Sequence, residues 1–239
     1  MIVILVILVV VVVGYFGYQK LTTKTITSIL FPSSSSTMSS VSTTNASVST
    51  TTPQPARKYP PVALAIQGTP ALSNTFTVTG QSYGNGVYQT SQSSFPTENV
   101  GWLWHNALNG SSFSSRNAYG STGDFTGTET TVVDGTSHKG EWIQVKFPQG
   151  LAVKTWVYTH RIGDPAAFVI AGSNDGVTWK LILHQTVNLF TAPALAASGN
   201  VITIPVNSPT TYIYCRMICL KTTGYVYFDG HAQTIYATE

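Results

Sequence analysis

The side chains of this 239-residue sequence that could carry out chemistry are few and widely separated. Its five histidines, which show no H-x-H, HExxH or Cys/His spacing of a metal site, are His105, His138, His160, His184 and His231. Motifs of serine hydrolases, P-loop enzymes and dinucleotide-binding folds are also missing. Asp134, Asp164 and Asp175 each stand next to Gly or Pro, which is typical of turns. The sequence therefore predicts a protein that is not an enzyme and binds no metal or cofactor. A carboxylate pair for glycoside hydrolysis depends on three-dimensional distance and stays open.

The two cysteines, Cys215 and Cys219, lie in the run YIYCRMICL. On a strand they would share a face about 13 Å apart at roughly 3.3 Å per residue. A disulfide needs Cα atoms within about 7 Å, so the pair cannot bridge itself. We expect two reduced, buried core thiols, which favours folding in a reducing compartment.

The net charge of +3 is unevenly distributed along the chain. Residues 1–60 contain Lys20, Lys24, Arg57 and Lys58 and no acidic side chain, a charge of +4. The remaining eight basic and nine acidic side chains give −1. Because no basic stripe is present, the sequence predicts no nucleic-acid partner.

The first 19 residues predict a transmembrane anchor that inserts into a lipid bilayer. Residues 1–18 contain no charged side chain, and as a helix they would span about 27 Å. A cleaved signal peptide is the alternative, but the segment lacks a basic n-region and a small-residue cleavage site. Lys20 and Lys24 follow the span, so the positive-inside rule predicts a single-pass protein with its C-terminal domain on the cytoplasmic side.

Residues 20–61 predict a Ser/Thr/Pro-rich linker. Fifteen of the twenty residues from 33 to 52 are Ser or Thr, and such a tract buries too little apolar surface to fold alone. The alternative is an O-glycosylated stalk, for which Asn45 and Asn109 would be N-glycan acceptors.

Residues 62–239 predict an all-β domain. Apolar and polar residues alternate in short runs such as TFTVT, EWIQVKF, TWKLIL and VITIPV, with Gly, Pro, Asn and Asp between them. Short strands at this spacing favour an antiparallel β-sandwich. One apolar row would contain Ile143, Val145 and Phe147, and another Trp179, Leu181 and Leu183.

Three segments in order, GEWIQVKFP (140–148), FVIAGSNDGVTWKLI (168–182) and YCRMICL (214–220), resemble the discoidin, or coagulation factor type C, domain. This resemblance implies the galactose-binding-like jelly-roll fold over roughly residues 80–238. Independently of this resemblance, Trp142 and Trp179 lie within predicted strands, so we expect core or edge packing residues rather than ligand platforms. Asn109 stands where the family has Asp, which weakens an inherited calcium site.

The same resemblance implies a binding module for glycans, lipid headgroups or proteins, with contacts from loops at one end of the sandwich. Candidate loops are residues 82–86, 109–124 and 159–165. Their candidate contact residues are Tyr83, Asn85, Phe113, Arg116, Tyr119, His160 and Arg161. The alternative is that these are ordinary solvated loops.

The sequence has the motif YGNG followed in order by GEW, SNDG and a Trp. In this it also resembles domains in structural proteins of large double-stranded DNA viruses. With the anchor and linker, this layout suggests a minor capsid protein that ties an internal virion membrane to the capsid shell through contacts with other capsid proteins. The alternative function is a glycan-binding adhesion module on a stalk.

Overall fold

The computed structural model describes residues 54–64, 72–94, 113–190, 199–231 and 233–239. All regular elements in these ranges are strands, and they are β1 (Arg57–Tyr59), β2 (Ser73–Val78), β3 (Gly86–Gln92), β4 (Phe113–Ser114), β5 (Thr130–Val133), β6 (Thr136–Lys139), β7 (Glu141–Thr159), β8 (Pro165–Ser173), β9 (Lys180–Gln185), β10 (Val201–Pro205), β11 (Tyr212–Thr222), β12 (Asp229–Gly230) and β13 (Gln233–Thr238).

The predicted membrane anchor, residues 1–19, lies outside the described residues. Within the part of the chain that the structure describes, no helix is long and apolar enough to cross a membrane. Most of the predicted linker also lies outside this part, but β1 falls within residues 20–61 and pairs with β13. Strand pairing therefore begins slightly before residue 62.

The long strand β7 organises the fold because its two halves pair with different strands. Its first half pairs with β3 and β11, and its second half pairs with β13 and β10. The order β1-β13-β7-β11-β8-β9 follows, with β2 beyond β3. Every pair of named strands is antiparallel. The predicted all-β antiparallel fold is confirmed. Because the two halves of β7 belong to different sets of paired strands, the architecture agrees with a jelly-roll sandwich.

The predicted apolar row of β7 and the two cysteines of β11 lie in the core of this sandwich. Ile143, Val145 and Phe147 on β7 are each buried, as are Cys215 and Cys219 on β11. Both cysteines are free thiols, as the spacing argument predicts. Alternating residues of adjacent strands thus point inward together, which is the side-chain period of a half-buried sheet.

The SNDG turn joins β8 to β9 through hydrogen bonds that the turn residues make locally. Gly176 has φ of 76°, a left-handed conformation that glycine adopts without steric cost. The Asp175 carboxylate accepts the Val177 and Thr178 amides at 2.8 and 2.7 Å. This Asx-type turn keeps the hairpin tight.

The predicted shared face of Trp179, Leu181 and Leu183 is wrong. Trp179 is buried, but the β8–β9 pairing shifts register between Ile170 and Ala171. A β-bulge of this kind breaks the two-residue alternation. Leu183 therefore pairs with Ile170 and packs against the main core, whereas Leu181 pairs with Ala171, which clusters with Trp179 on the other face. Leu181 itself is 46% exposed.

Trp142 and Trp179 pack on the outer face of this sheet rather than forming a ligand platform. Trp179 lies in a second apolar cluster with Val133, Val169 and Ile218, and Trp142 packs against that cluster. Val133 belongs to the β5–β6 hairpin, which therefore covers this part of the sheet.

Candidate functional site

The structure divides the seven predicted contact residues between two ends of the sandwich. Tyr83 and Asn85 lie in the turn before β3, and a Cβ atom at Gly86 would touch Pro148. The Tyr83 ring packs edge-on against Tyr59, with centroids 5.4 Å apart. Asn85 is exposed and exchanges hydrogen bonds with the Gln81 backbone. This turn is therefore at the end of the sheet marked by Pro148, away from residue 141.

The other predicted residues gather where β7 begins and ends, because Arg116 contacts Glu141 and His160 directly follows Thr159. β4, which contains Phe113, pairs with β12 through Ser114 and Asp229. Arg116 follows β4, and its Nε donates to the buried Glu141 carboxylate at 3.1 Å. These residues share one end because β4 and β12 pair there.

Tyr119 belongs to the core beneath this end rather than to its surface. It is 2% exposed, and its hydroxyl donates to the Cys219 carbonyl at 2.8 Å. The same hydroxyl accepts the Glu141 amide at 3.1 Å. Burial raises the pKa of Tyr119 well above its usual value. The residue thus connects β7 with β11 and presents no free hydroxyl to a ligand.

Arg161 is positioned by a buried carboxylate on β12. Its Nη1 donates to Asp229 Oδ2 at 3.1 Å, and the arginine side chain is 36% exposed while that of Asp229 is 2% exposed. Asp229 Oδ1 accepts the Gly163 amide at 2.5 Å. The carboxylate therefore holds both the guanidinium and the turn that carries it, which is a charge-assisted arrangement.

His160 is held by a second buried carboxylate in the same turn. Its Nδ1 contacts Asp164 Oδ2, and the histidine side chain is mostly buried. The Asp164 Oδ1 atom also accepts the Arg161 amide at 3.3 Å. A carboxylate on Nδ1 orients the imidazole ring and directs Nε2 away from the pair.

Desolvation dominates the electrostatics of both carboxylates. Burial raises the pKa of Asp164, and the contact with His160 opposes that shift. Burial likewise raises the pKa of Asp229, opposed by the Gly163 amide and by Arg161. Each carboxylate faces a basic side chain, so the end carries paired charges rather than a strong field of one sign.

Two tyrosines lie on the loop that packs against this turn. Tyr225 is exposed, Tyr227 is partly buried, and their ring centroids are 5.8 Å apart. Thr223 on the same loop donates its amide to the Asp164 carbonyl at 3.0 Å. The loop and the turn therefore form one surface, which we call the Arg161 site: His160, Arg161, Asp164, Tyr225, Tyr227 and Asp229.

Of the six members of this site, His160 and Arg161 were predictable from the sequence, and Asp164, Tyr225, Tyr227 and Asp229 were not. Asp164 was interpreted only as a turn residue because it stands beside Gly163. Tyr225 and Tyr227 follow a Thr-Thr-Gly turn, and aromatic residues beside such a turn were the signal available. Among the described residues, no group of three or more His, Cys, Asp or Glu side chains could hold a metal ion.

The Arg161 site combines fixed hydrogen-bond donors with aromatic surface. The guanidinium uses Nη1 for Asp229 and remains partly exposed. Small-molecule sites typically combine a few oriented polar groups with apolar and aromatic surface. Within the site, the exposed part of the Arg161 guanidinium and the Tyr225 ring are the groups that a ligand could reach.

No protein-family model matches the chain, and no curated protein matches it. Solved structures do resemble it. A CBM32 module of Clostridium perfringens in complex with GalNAc-β-1,3-galactose is 14% identical, with a TM-score of 0.43, over 63% of this chain and 95% of that one. The family 32 carbohydrate-binding module of NanJ from C. perfringens, in complex with galactose, is 12% identical, with a TM-score of 0.43, over 62% and 93%.

A chitosan-binding module from Paenibacillus sp. IK-5 is 17% identical, with a TM-score of 0.41, over 62% of this chain and 92% of that one. The CBM32 neighbours have the discoidin-like, galactose-binding jelly-roll fold that the sequence motifs resemble.

Proposed function

We propose that the β-sandwich is a glycan-binding module and that the Arg161 site is its contact surface. The observation that carries this proposal is the exposed part of the Arg161 guanidinium, held by the buried Asp229 carboxylate beside a loop with an exposed tyrosine, Tyr225. Arginine can donate several hydrogen bonds in a fixed plane. Sugar hydroxyls accept such bonds, while the apolar face of a sugar ring stacks on an aromatic side chain.

The pairing of charges at this end favours a neutral ligand. Arg161 and His160 each face a buried carboxylate, and Arg116 faces Glu141. An anionic ligand would meet arginines that are already paired with carboxylates, whereas a neutral polyol needs oriented donors and acceptors rather than net charge. The site is consequently suited to hydroxyl-rich ligands.

The test is binding of neutral sugars to the full-length chain, with galactose and glucose as probes in isothermal titration calorimetry. We expect Arg161→Ala to weaken binding about ten- to a hundredfold, the value of one charge-assisted hydrogen bond. Tyr225→Ala should also weaken binding, and it leaves no buried charge unpaired.

Arg116→Ala is the matched control for Arg161→Ala. It removes a partly exposed arginine that lies 3.1 Å from another buried carboxylate at the same end, so it has a similar effect on stability without touching the proposed surface. Thermal melting of both variants separates unfolding from lost binding. Sugar binding that survives both Arg161→Ala and Tyr225→Ala would overturn the proposal.

The capsid-tether hypothesis depends on the anchor and on most of the linker, which lie outside the described residues. No contact within the described residues favours it over glycan binding. The cytoplasmic orientation and the virion location therefore stay predictions.

A further inference from the structure

A shallow groove of about 340 Å³ begins beside the Arg161 site and belongs to the same end of the sandwich. Its lining includes Ala166 and Ala167 at the start of β8, and Thr186 and Asn188 after β9. The end of β11 contributes Lys221 to Gly224. We call this surface the threonine groove.

The shape of the groove follows from the strand order. β8 lies between β11 and β9 in the sheet, and its first residues after Pro165 are two alanines. Methyl side chains on the central strand leave a trough between the longer side chains of its neighbours. Ala166 is buried at the bottom of this trough, and Thr186 is exposed at its edge.

Thr223 joins the groove to the Arg161 site. Its hydroxyl donates to the Ile162 carbonyl at 3.2 Å, and its amide donates to the Asp164 carbonyl at 3.0 Å. The residue therefore lines the groove while bonding to the turn that carries Arg161. A ligand held at Arg161 and extended past Thr223 would enter the trough without crossing another strand.

The chemistry of the groove is hydroxyl-rich and electrically balanced. Lys221 Nζ lies 2.7 Å from Asp124 Oδ1, and the Thr122 hydroxyl donates to Asp124 Oδ2 at 2.7 Å. The lysine contact is the main reason that the pKa of Asp124 is lowered, and the ion pair leaves this side of the groove without a net charge of one sign. The Thr186 hydroxyl and the Asn188 amide nitrogen could donate to a ligand, while the Thr122 and Thr223 hydroxyls, which donate within the protein, could still accept from one.

We propose that the threonine groove is a second subsite that accepts the additional residues of a neutral oligosaccharide bound at Arg161. This inference rests on the proposed glycan binding and specifies the ligand class as a neutral chain of two or more sugars. The volume of the threonine groove, about 340 Å³, exceeds the lower limit of about 300 Å³ for small-molecule sites. The balanced charge of Lys221 and Asp124 disfavours an acidic chain.

The experiment compares sugar lengths on the full-length chain by isothermal titration calorimetry. The probes are galactose and galactotriose, glucose and cellotriose, with trigalacturonic acid as the acidic chain. We expect a neutral trisaccharide to bind about tenfold more tightly than its monosaccharide, the value of one or two added hydrogen bonds. The acidic chain should bind no more tightly than galactose.

Thr186→Leu tests the groove because it replaces an exposed lining hydroxyl with a larger apolar side chain. We expect it to reduce trisaccharide affinity to the monosaccharide level and to leave monosaccharide affinity unchanged. Thr178→Leu is the matched control, since Thr178 is also exposed and lines a different groove of about 430 Å³ beside the SNDG turn. Its affinities should equal those of the unaltered chain.

The outcomes separate this inference from the proposed function. Monosaccharide binding that Arg161→Ala weakens, with no gain for trisaccharides, overturns the second subsite and leaves the Arg161 site standing. Tighter binding of trigalacturonic acid overturns the neutral ligand class. Absence of binding for every probe overturns the proposed function and this inference together.

Discussion

Arg216 offers a sharp test of what stabilises the outer face of the sheet. Its Cζ lies 3.8 Å from the centroid of the Trp142 ring and 4.1 Å from that of Trp179. The guanidinium donates twice to Gln144 Oε1, at 3.0 and 2.7 Å, and once to Thr131 Oγ1 at 2.9 Å. The arginine thus lies between two indole rings while its edges bond to buried polar side chains.

We expect Arg216→Met to lower the free energy of unfolding by about 3 kcal/mol. Hydrogen bonds from a charged donor contribute about 1.5–3 kcal/mol each, and each cation–π contact about 0.5–2 kcal/mol. Burial opposes these gains because the charged guanidinium loses water, and it lowers the pKa of Arg216 to about 10. Desolvation of a charge costs several kcal/mol, so roughly 3 kcal/mol remains.

The assay is urea unfolding followed by tryptophan fluorescence, because two indole rings flank the site. In a thermal melt of a domain of this size, the same loss of about 3 kcal/mol would lower the Tm by roughly 6–12 °C. Arg216→Lys should lose about 2 kcal/mol, since an ammonium cannot stack in a plane and bond along its edges at once.

Lys180→Met serves as the control, because Lys180 pairs with Asp134 on the exposed surface and its loss should leave the unfolding midpoint unchanged. If Arg216→Met unfolds within about 1 kcal/mol of the unaltered chain, the stacked arginine is not a net stabiliser. Equal stability of Arg216→Lys and the unaltered chain would refute the argument from planar geometry.

Two further predictions concern titratable groups. Burial lowers the pKa of His138, helped by His184 with ring centroids 5.7 Å apart. Below its ordinary pKa of about 6.5, His138 binds protons more readily in the unfolded chain than in the folded chain. Its contribution to the free energy of unfolding is therefore fully present above about pH 6.5 and is lost as the pH falls through the lower pKa of the folded state. Urea midpoints should therefore fall on acidification, less so for His138→Gln, and equal slopes would contradict this. Burial raises the pKa of Cys215 to about 12, so neither Cys215 nor Cys219 should react with a disulfide reagent at about pH 8 before denaturant is added. Rapid modification of the folded chain would show that the thiols are accessible.

The fold was predictable because strand alternation is a local property of the sequence. Ile143, Val145 and Phe147 alternate with polar residues and are all buried, as a two-residue period requires. The same logic failed after Leu181, where a bulge in the β8–β9 pairing places Leu183 on the face opposite to that of Trp179. A bulge depends on how two strands register, and one strand's pattern does not contain that information.

The candidate site was only partly predictable because its pairs are distant in sequence. Arg161 stood out as a charged residue in a loop, but its partner Asp229 lies 68 positions later. Tyr119 had the same loop signature, yet its hydroxyl bonds to a carbonyl 100 positions away. An exposed loop residue such as Arg161 and a buried one such as Tyr119 differ in these long-range contacts. The residue types around a loop position do not contain that information.

The turn that carries Arg161 is held by contacts within the protein, and Gly163 makes them possible. A Cβ atom at this position would overlap the Tyr227 carbonyl oxygen, so only glycine allows the turn to approach the tyrosine loop so closely. The Gly163 amide then reaches Asp229, and its carbonyl accepts the Asp229 amide at 3.0 Å. Because the carboxylate that aligns Arg161 also closes this turn, the guanidinium and the tyrosine loop keep one relative position. A ligand that contacts both surfaces would lose little free energy to ordering them, which is how a small, shallow site can reach useful affinity.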